Sequence, residues 1–114
     1  MQKLALILII HYSLLITNCF SQPSITWQRI YDGPLHNDDA GRDICPANDG
    51  NFFIVGSTPI IGLGSEIYVL KINAYGDTIW SKIIGGNDGN QTGDAITSSS
   101  DGGCVLTGGF DSSF

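Results

Sequence analysis

The sequence predicts an all-β chain built from antiparallel four-stranded units, one complete and two partial, and three observations predict it. Short runs of β-branched and aromatic residues, alternating or continuously apolar, are set between turn clusters. Those clusters carry Asp-Gly, Asn and Gly pairs, which tolerate the positive φ of tight turns. The same landmarks then return in the same order about 50 residues further on.

In Ile25–Tyr31 the pattern alternates, with Trp27, Arg29 and Tyr31 on one face and Gln28 and Ile30 on the other, as in a half-buried strand. Asp32-Gly33-Pro34 ends it, and residues 34–41 (PLHNDDAG) read as a polar loop. Asp43–Ala47 is a short strand, and Asn48-Asp49-Gly50-Asn51 turns it back. Phe52–Val55 is apolar throughout, which predicts burial on both faces. Residues 58–65 (TPIIGLGS) read as a loop punctuated by Gly and Pro. Ile67–Ile72 (IYVLKI) is a second strand apolar on both faces, closed by Asn73-Ala74-Tyr75-Gly76. Thr78–Ile84 alternates again and stops at Gly85-Gly86, so 42–86 reads as one complete unit.

The pattern then restarts. Trp27-Gln28-Arg29-Ile30 matches Trp80-Ser81-Lys82-Ile83, and Gly33 matches Gly86, at an offset of 53. Asp49-Gly50 matches Asp101-Gly102, and Gly56 matches Gly108, at 52. The slip of one residue falls in the loop before each unit's first strand, where length changes are tolerated. Four strands in about 50 residues is the spacing of β-propeller blades. On this reading 25–33 is the outer strand of a preceding blade, 42–86 a whole blade, and 93–114 the start of the next, with strands at 93–98 and 103–109. Blades bury their faces against neighbours, so Phe52, Ile54, Val69 and Leu70 are expected to have few partners within this chain. The chain is accordingly expected to be a portion of a longer propeller.

Residues 1–21 read as a signal peptide: Lys3, an apolar run from Leu4 to Ile10 extended past His11, then small residues with a cut after Ser21. The run is short for a membrane span, and no span follows cleavage. Lipidation of Cys19 is the alternative, although Asn18 stands where a small residue is usual. Removing the leader leaves 93 residues, with 4 basic against 11 acidic side chains. That balance argues against nucleic acid or an anionic membrane as partner. Cys45 and Cys104 both lie in strands. A bridge between units and two unpaired buried thiols are both open, and neither cysteine has zinc-site spacing.

Antiparallel connections gather the loops at 34–41, 58–65 and 87–93 at one end, with His36, Asn37, Asp38, Asp39, Asn87, Asp88 and Asn90. Asp38, Asp39 and Asp88 are the candidates for a rim ligand or a Ca²⁺ site, since Ca²⁺ prefers carboxylate and carbonyl oxygen. Their order matches no Ca²⁺-loop motif, and adjacent Asp38 and Asp39 point opposite ways if extended. His36 is the candidate base, but no nucleophile motif accompanies it, and no phosphate-binding Gly loop is present. Trp27 and Trp80 read as packing residues, with sugar-stacking platforms the alternative. Asn90-Gln91-Thr92 is a formal N-glycosylation sequon.

The stretch NDGNFFIVGST…EIYVLKINAYGDTIWSKIIGG resembles the repeats of exported bacterial β-propeller proteins of the Bacteroidota type, many of which carry a sorting domain for type IX secretion. The resemblance spans Trp27–Phe110. Asp77-Thr78-Ile79 is similar to the O-glycosylation motif of that phylum, and Asn73-x-x-Gly76-x-x-x-Trp80 resembles the structural tryptophan-docking turns of quinoprotein dehydrogenases. The resemblance speaks for the architecture and hardly for the function; the first reading is a secreted or cell-surface recognition or adhesion scaffold without catalysis, partnered by further blades and by a glycan or protein ligand. The alternative is the front of a propeller enzyme acting on polysaccharide or another extracellular polymer.

Overall fold

The two continuously apolar runs of the sequence become the centre of the main sheet. A computed structural model describes residues 24–33, 36, 38–62, 64–86 and 89–112; the leader expected at 1–21 lies outside them. The strands are β1 (Ala40–Pro46), β2 (Phe52–Ile60), β3 (Gly64–Ile72), β4 (Thr78–Ile84), β5 (Asn90–Ser98) and β6 (Cys104–Asp111). The first four form one antiparallel sheet in the order β1-β2-β3-β4, and β5 and β6 pair as a second sheet; neither sheet closes on itself.

Register decides which residues share a face. The pairs Phe53↔Lys71 and Val55↔Val69 lie on one side of the sheet, and Phe52↔Ile72, Ile54↔Leu70 and Gly56↔Tyr68 on the other. The first face packs against β5–β6: Ala47, Phe53, Val55, Val69 and Ile96 form one core, edged by Cys45, Ile67, Cys104 and Leu106. Gly93 presses its backbone onto this face, since a Cβ there would lie 2.3 Å from Val55 Cγ2. Tyr68, Leu70 and Ile72 form the second core, with Tyr31, Phe52 and Ile54 against it. Each large side chain so buried contributes about 2 kcal/mol. Phe52, Ile54, Val69 and Leu70 therefore do find partners. The sequence reading missed that the chain brings a cover to each face.

One cover is residues 24–33. Residues 25–33 were expected to be a strand, but they form none. They form a strap whose alternation serves side-chain docking instead. The Trp27 indole N–H donates to the Ala74 carbonyl at 2.9 Å. The Tyr31 hydroxyl donates to the Gly76 carbonyl at 2.8 Å. Arg29 pairs with Asp77 at 3.0 Å. The face predicted for Trp27, Arg29 and Tyr31 is thus the face that grips the β3–β4 turn. Gly76, at φ +80°, leaves room for the Trp27 ring, 2.7 Å from where its Cβ would be.

The second sheet reproduces the first pair of strands. Ala40↔Ser57, Gly41↔Gly56, Asp43↔Val55 and Ile44↔Ile54 in β1–β2 correspond to Thr92↔Gly109, Gly93↔Gly108, Ala95↔Thr107 and Ile96↔Leu106 in β5–β6, 52 residues on. The register shift falls at the same place in both. The turns agree as well: Ala47 N–H donates to the Asn51 carbonyl at 2.8 Å and Ser99 N–H to the Gly103 carbonyl at 2.9 Å. Gly56 and Gly108 stand where the facing strand comes closest. A Cβ on them would sit 1.9 Å from the Ala40 carbonyl oxygen and 1.8 Å from that of Thr92.

The loop expected over 58–65 is mostly strand. β2 continues through Pro59 to Ile60, and β3 starts at Gly64. Pro59 is accommodated because β1 pairing ends at Ala40↔Ser57, so beyond it β2 is an edge, where a missing N–H is tolerated. β1 and β5 likewise begin earlier than expected, at Ala40 and Asn90.

Two outcomes follow from this geometry. Gly56→Ala should destabilise the chain by about 2 kcal/mol in denaturant titration, because backbone must move. Gly41→Ala, with open space at its Cβ, should cost little. Lys71 Nζ donates to Asp49 Oδ2 at 2.6 Å, and this bond is the largest influence lowering the Asp49 carboxyl to about 2. A depressed carboxylate stabilises above its unfolded value and loses that contribution as pH falls toward the folded one. Asp49→Asn should therefore flatten the loss of stability between about pH 4 and pH 2, followed by circular dichroism.

Candidate functional site

Antiparallel pairing sorts the chemistry to two ends. The turns at 47–51, 73–77 and 99–103 lie at one end; the strand ends Ala40, Ile60, Gly64, Ile84, Asn90 and Asp111 lie at the other. The two sheets keep the same sense, since Asn48 Nδ2 donates to the Ser99 carbonyl at the turn end and Ser65 N–H donates to Asn90 Oδ1 at the other.

Polar groups at the turn end are internally matched. Asn73 Oδ1 accepts from the N–H groups of Tyr75 and Asp77, both at 2.9 Å. Asp101 Oδ1 accepts from the Ser99 hydroxyl and the Gly103 N–H, and the two bonds, Ser99 first, hold its carboxyl below the usual range.

The strand-end side is different. Asp38 is exposed, whereas Asp39 turns inward, as expected of adjacent residues in extended chain. Asp39 Oδ2 accepts from the Gly33 N–H at the end of the strap. Asp39 Oδ1 is buried without a hydrogen-bond partner. Asp88 lies outside the described residues, as do Asn37 and Asn87. The structure thus places Asp39 inward and Asp38 outward. His36 is exposed and pairs through Nδ1 with Asp32, whose hydrogen bond and then charge raise its pKa.

Two residues that sequence reasoning passed over are buried at the same end of the sheet, Thr58 beside Asp39 and Glu66 across from Thr58. Thr58 and Glu66 are each 1 % exposed and face each other across β2–β3. Thr58 Oγ1 and both Glu66 carboxylate oxygens are buried without a partner. Thr58 Oγ1 and Asp39 Oδ1 each lie 2.8 Å from the point a Cβ on Gly33 would occupy. The Glu66 carboxylate lies against Gly85 (φ +148°), with Oε2 only 1.3 Å from where a Gly85 Cβ would stand. The available signal was a lone acidic residue opening an otherwise apolar strand, Glu66 before Ile67–Leu70.

Beside Asp39, between Tyr31 and the Tyr68–Leu70 face, is a cavity of about 110 Å³. That is room for water rather than for a drug-sized ligand. On the other face, Cys45 and Cys104 are free thiols in one core. Burial, then Asp43 and Cys104, pushes the Cys45 thiol up, which leaves it a poor nucleophile.

Gly85→Ala should cost more than Gly86→Ala, by 2 kcal/mol or more in the order of magnitude given by overpacking plus strain. Both have positive φ, but only Gly85 has the Glu66 carboxylate against it. Equilibrium unfolding of the two variants makes the comparison.

Compared with family models, curated proteins and solved structures, the chain matches none. The functional reading therefore rests on its own residues.

Proposed function

We propose that this chain is part of an exported β-propeller and serves as a non-catalytic recognition or adhesion scaffold, secreted or held at the cell surface. The observation that carries the reading is the 52-residue correspondence of the β1–β2 and β5–β6 ladders, bulge and turn included, with the second sheet stacked on the first. Units that repeat a backbone and stack face to face form arrays, and closed arrays present loops at one rim for binding.

Further blades are the first partners on this reading. Trp80 and Lys82 stand 53 residues after Trp27 and Arg29. Trp27 and Arg29 grip the turn of the unit that follows them; on this reading Trp80, 40 % exposed, serves a following unit in the same way. The short apolar leader supports export, and the sparse charge and abundant turn residues suit an extracellular β protein.

The test has two parts. Intact mass of the exported protein should show a chain starting at Gln22. The purified protein should bind immobilised glycans or matrix proteins saturably, without releasing reducing ends from soluble polysaccharides. Retention in the cytoplasm with the leader uncut, or polysaccharide turnover by this chain, would overturn the proposal.

A further inference from the structure

We propose that Asp39, Thr58 and Glu66 bind a hard divalent cation, Ca²⁺ by the chemistry of the donors, where β1, β2 and β3 meet the backbone of Gly33 and Gly85. The donors are all oxygen: Asp39 Oδ1, Thr58 Oγ1 and both oxygens of Glu66, each buried without a partner. Thr58 and Glu66 are directly opposed on one face of β2–β3. Side chains so placed start about 5 Å apart at Cβ, within the reach of a glutamate. Asp39 Oδ1 and Thr58 Oγ1 already converge beside Gly33, at 2.8 Å from one common point.

Burying a carboxylate with no counter-charge is costly, and a bound cation offsets that cost. Neighbouring cations are committed elsewhere: Lys71 to Asp49 and Arg29 to Asp77, while Arg42 and Lys82 are exposed. An oxygen-only donor set on the ends of separate strands suits Ca²⁺, which accepts irregular geometry, better than Zn²⁺, which takes His and Cys. The described cysteines lie in the opposite-face core and His36 is on Asp32, so neither soft nor imidazole donors reach the site.

The corresponding positions of the second unit make the point sharper. Fifty-two residues after Asp39 and Thr58 stand Gln91 and Phe110. The Asp39 carboxylate and the Thr58 hydroxyl are therefore not something the shared β1–β2 backbone requires.

Full-length chain freed of metal with EDTA, then titrated with CaCl₂ in a calorimeter, should bind one Ca²⁺ saturably. Its melting temperature should rise by on the order of 10 °C at a hundredfold excess over Kd. Tb³⁺ should report the same site by luminescence excited through nearby tyrosine. Glu66→Gln and Asp39→Asn should each abolish binding, and Thr58→Val should weaken it at least tenfold, while Asp38→Asn leaves it unchanged. If Glu66→Gln fails to fold, Thr58→Val carries the test alone, since it removes an oxygen without altering charge. Absence of saturable heat and of a melting shift in the wild-type chain overturns the proposal, as does binding that Thr58→Val leaves intact.

Discussion

β2 and β3 are apolar on both faces and sit between β1 and β4. A sheet of this kind needs two covers, and β5–β6 and the strap supply them. Phe53, Val55 and Val69 take theirs from β5–β6, and Leu70 and Ile72 take theirs from the strap. β4 gains little from either. Its residues are exposed along its whole length, with Ile79 at 49 % and Trp80 at 40 %. The unfinished business of the fold is therefore at that edge strand. An exposed edge strand carrying Ile79, Trp80, Ile83 and Ile84 is a template for association, and natural sheets either protect such edges or use them.

The strap is held by polar contacts rather than by a ladder, which matters for how tightly it stays. Its three anchors fall on alternate residues and meet one four-residue turn. Hydrogen bonds of this kind contribute about 1 kcal/mol each. The Arg29–Asp77 pair adds less, since both side chains are more than half exposed and water screens them. Tyr31, packed on the second core, therefore does more to seat the strap than the ion pair does.

Much of this was legible in the sequence because backbone constraints leave residue-type signatures. Thr78–Ile84 was placed to the residue because Gly76 and Gly85-Gly86 bracket it. The Asp-Gly turns were legible because few residues tolerate their geometry. What escaped detection were long-range matters. Trp27–Tyr31 alternates whether it pairs as a strand or docks as a strap, and period alone cannot separate the two. Pro59 reads as a loop residue unless one knows that β1 has already ended. At the candidate site Asp39 was legible as a loop carboxylate. Thr58 and Glu66 were not, because only the register puts them opposite each other and only tertiary packing buries them.

The two units also separate what the backbone demands from what side chains are free to choose. Gly56 and Gly108 are the same residue because any Cβ would strike a carbonyl. Asp49 and Asp101 agree because each accepts a backbone N–H inside its own turn. Where no such constraint acts, the units diverge. Asp43 accepts the Ile96 N–H at 2.9 Å and so ties the two sheets together, yet its counterpart is Ala95. The first unit thus spends a carboxylate on holding its neighbour, a role that Ala95 has no group to repeat. By the same logic, buried oxygens at Asp39 and Thr58 that give way to an amide and a phenyl ring in the next unit are not architecture. The second unit builds the same ladder without them, so their burial in the first is a choice of side chain, and a bound cation would offset what that burial costs.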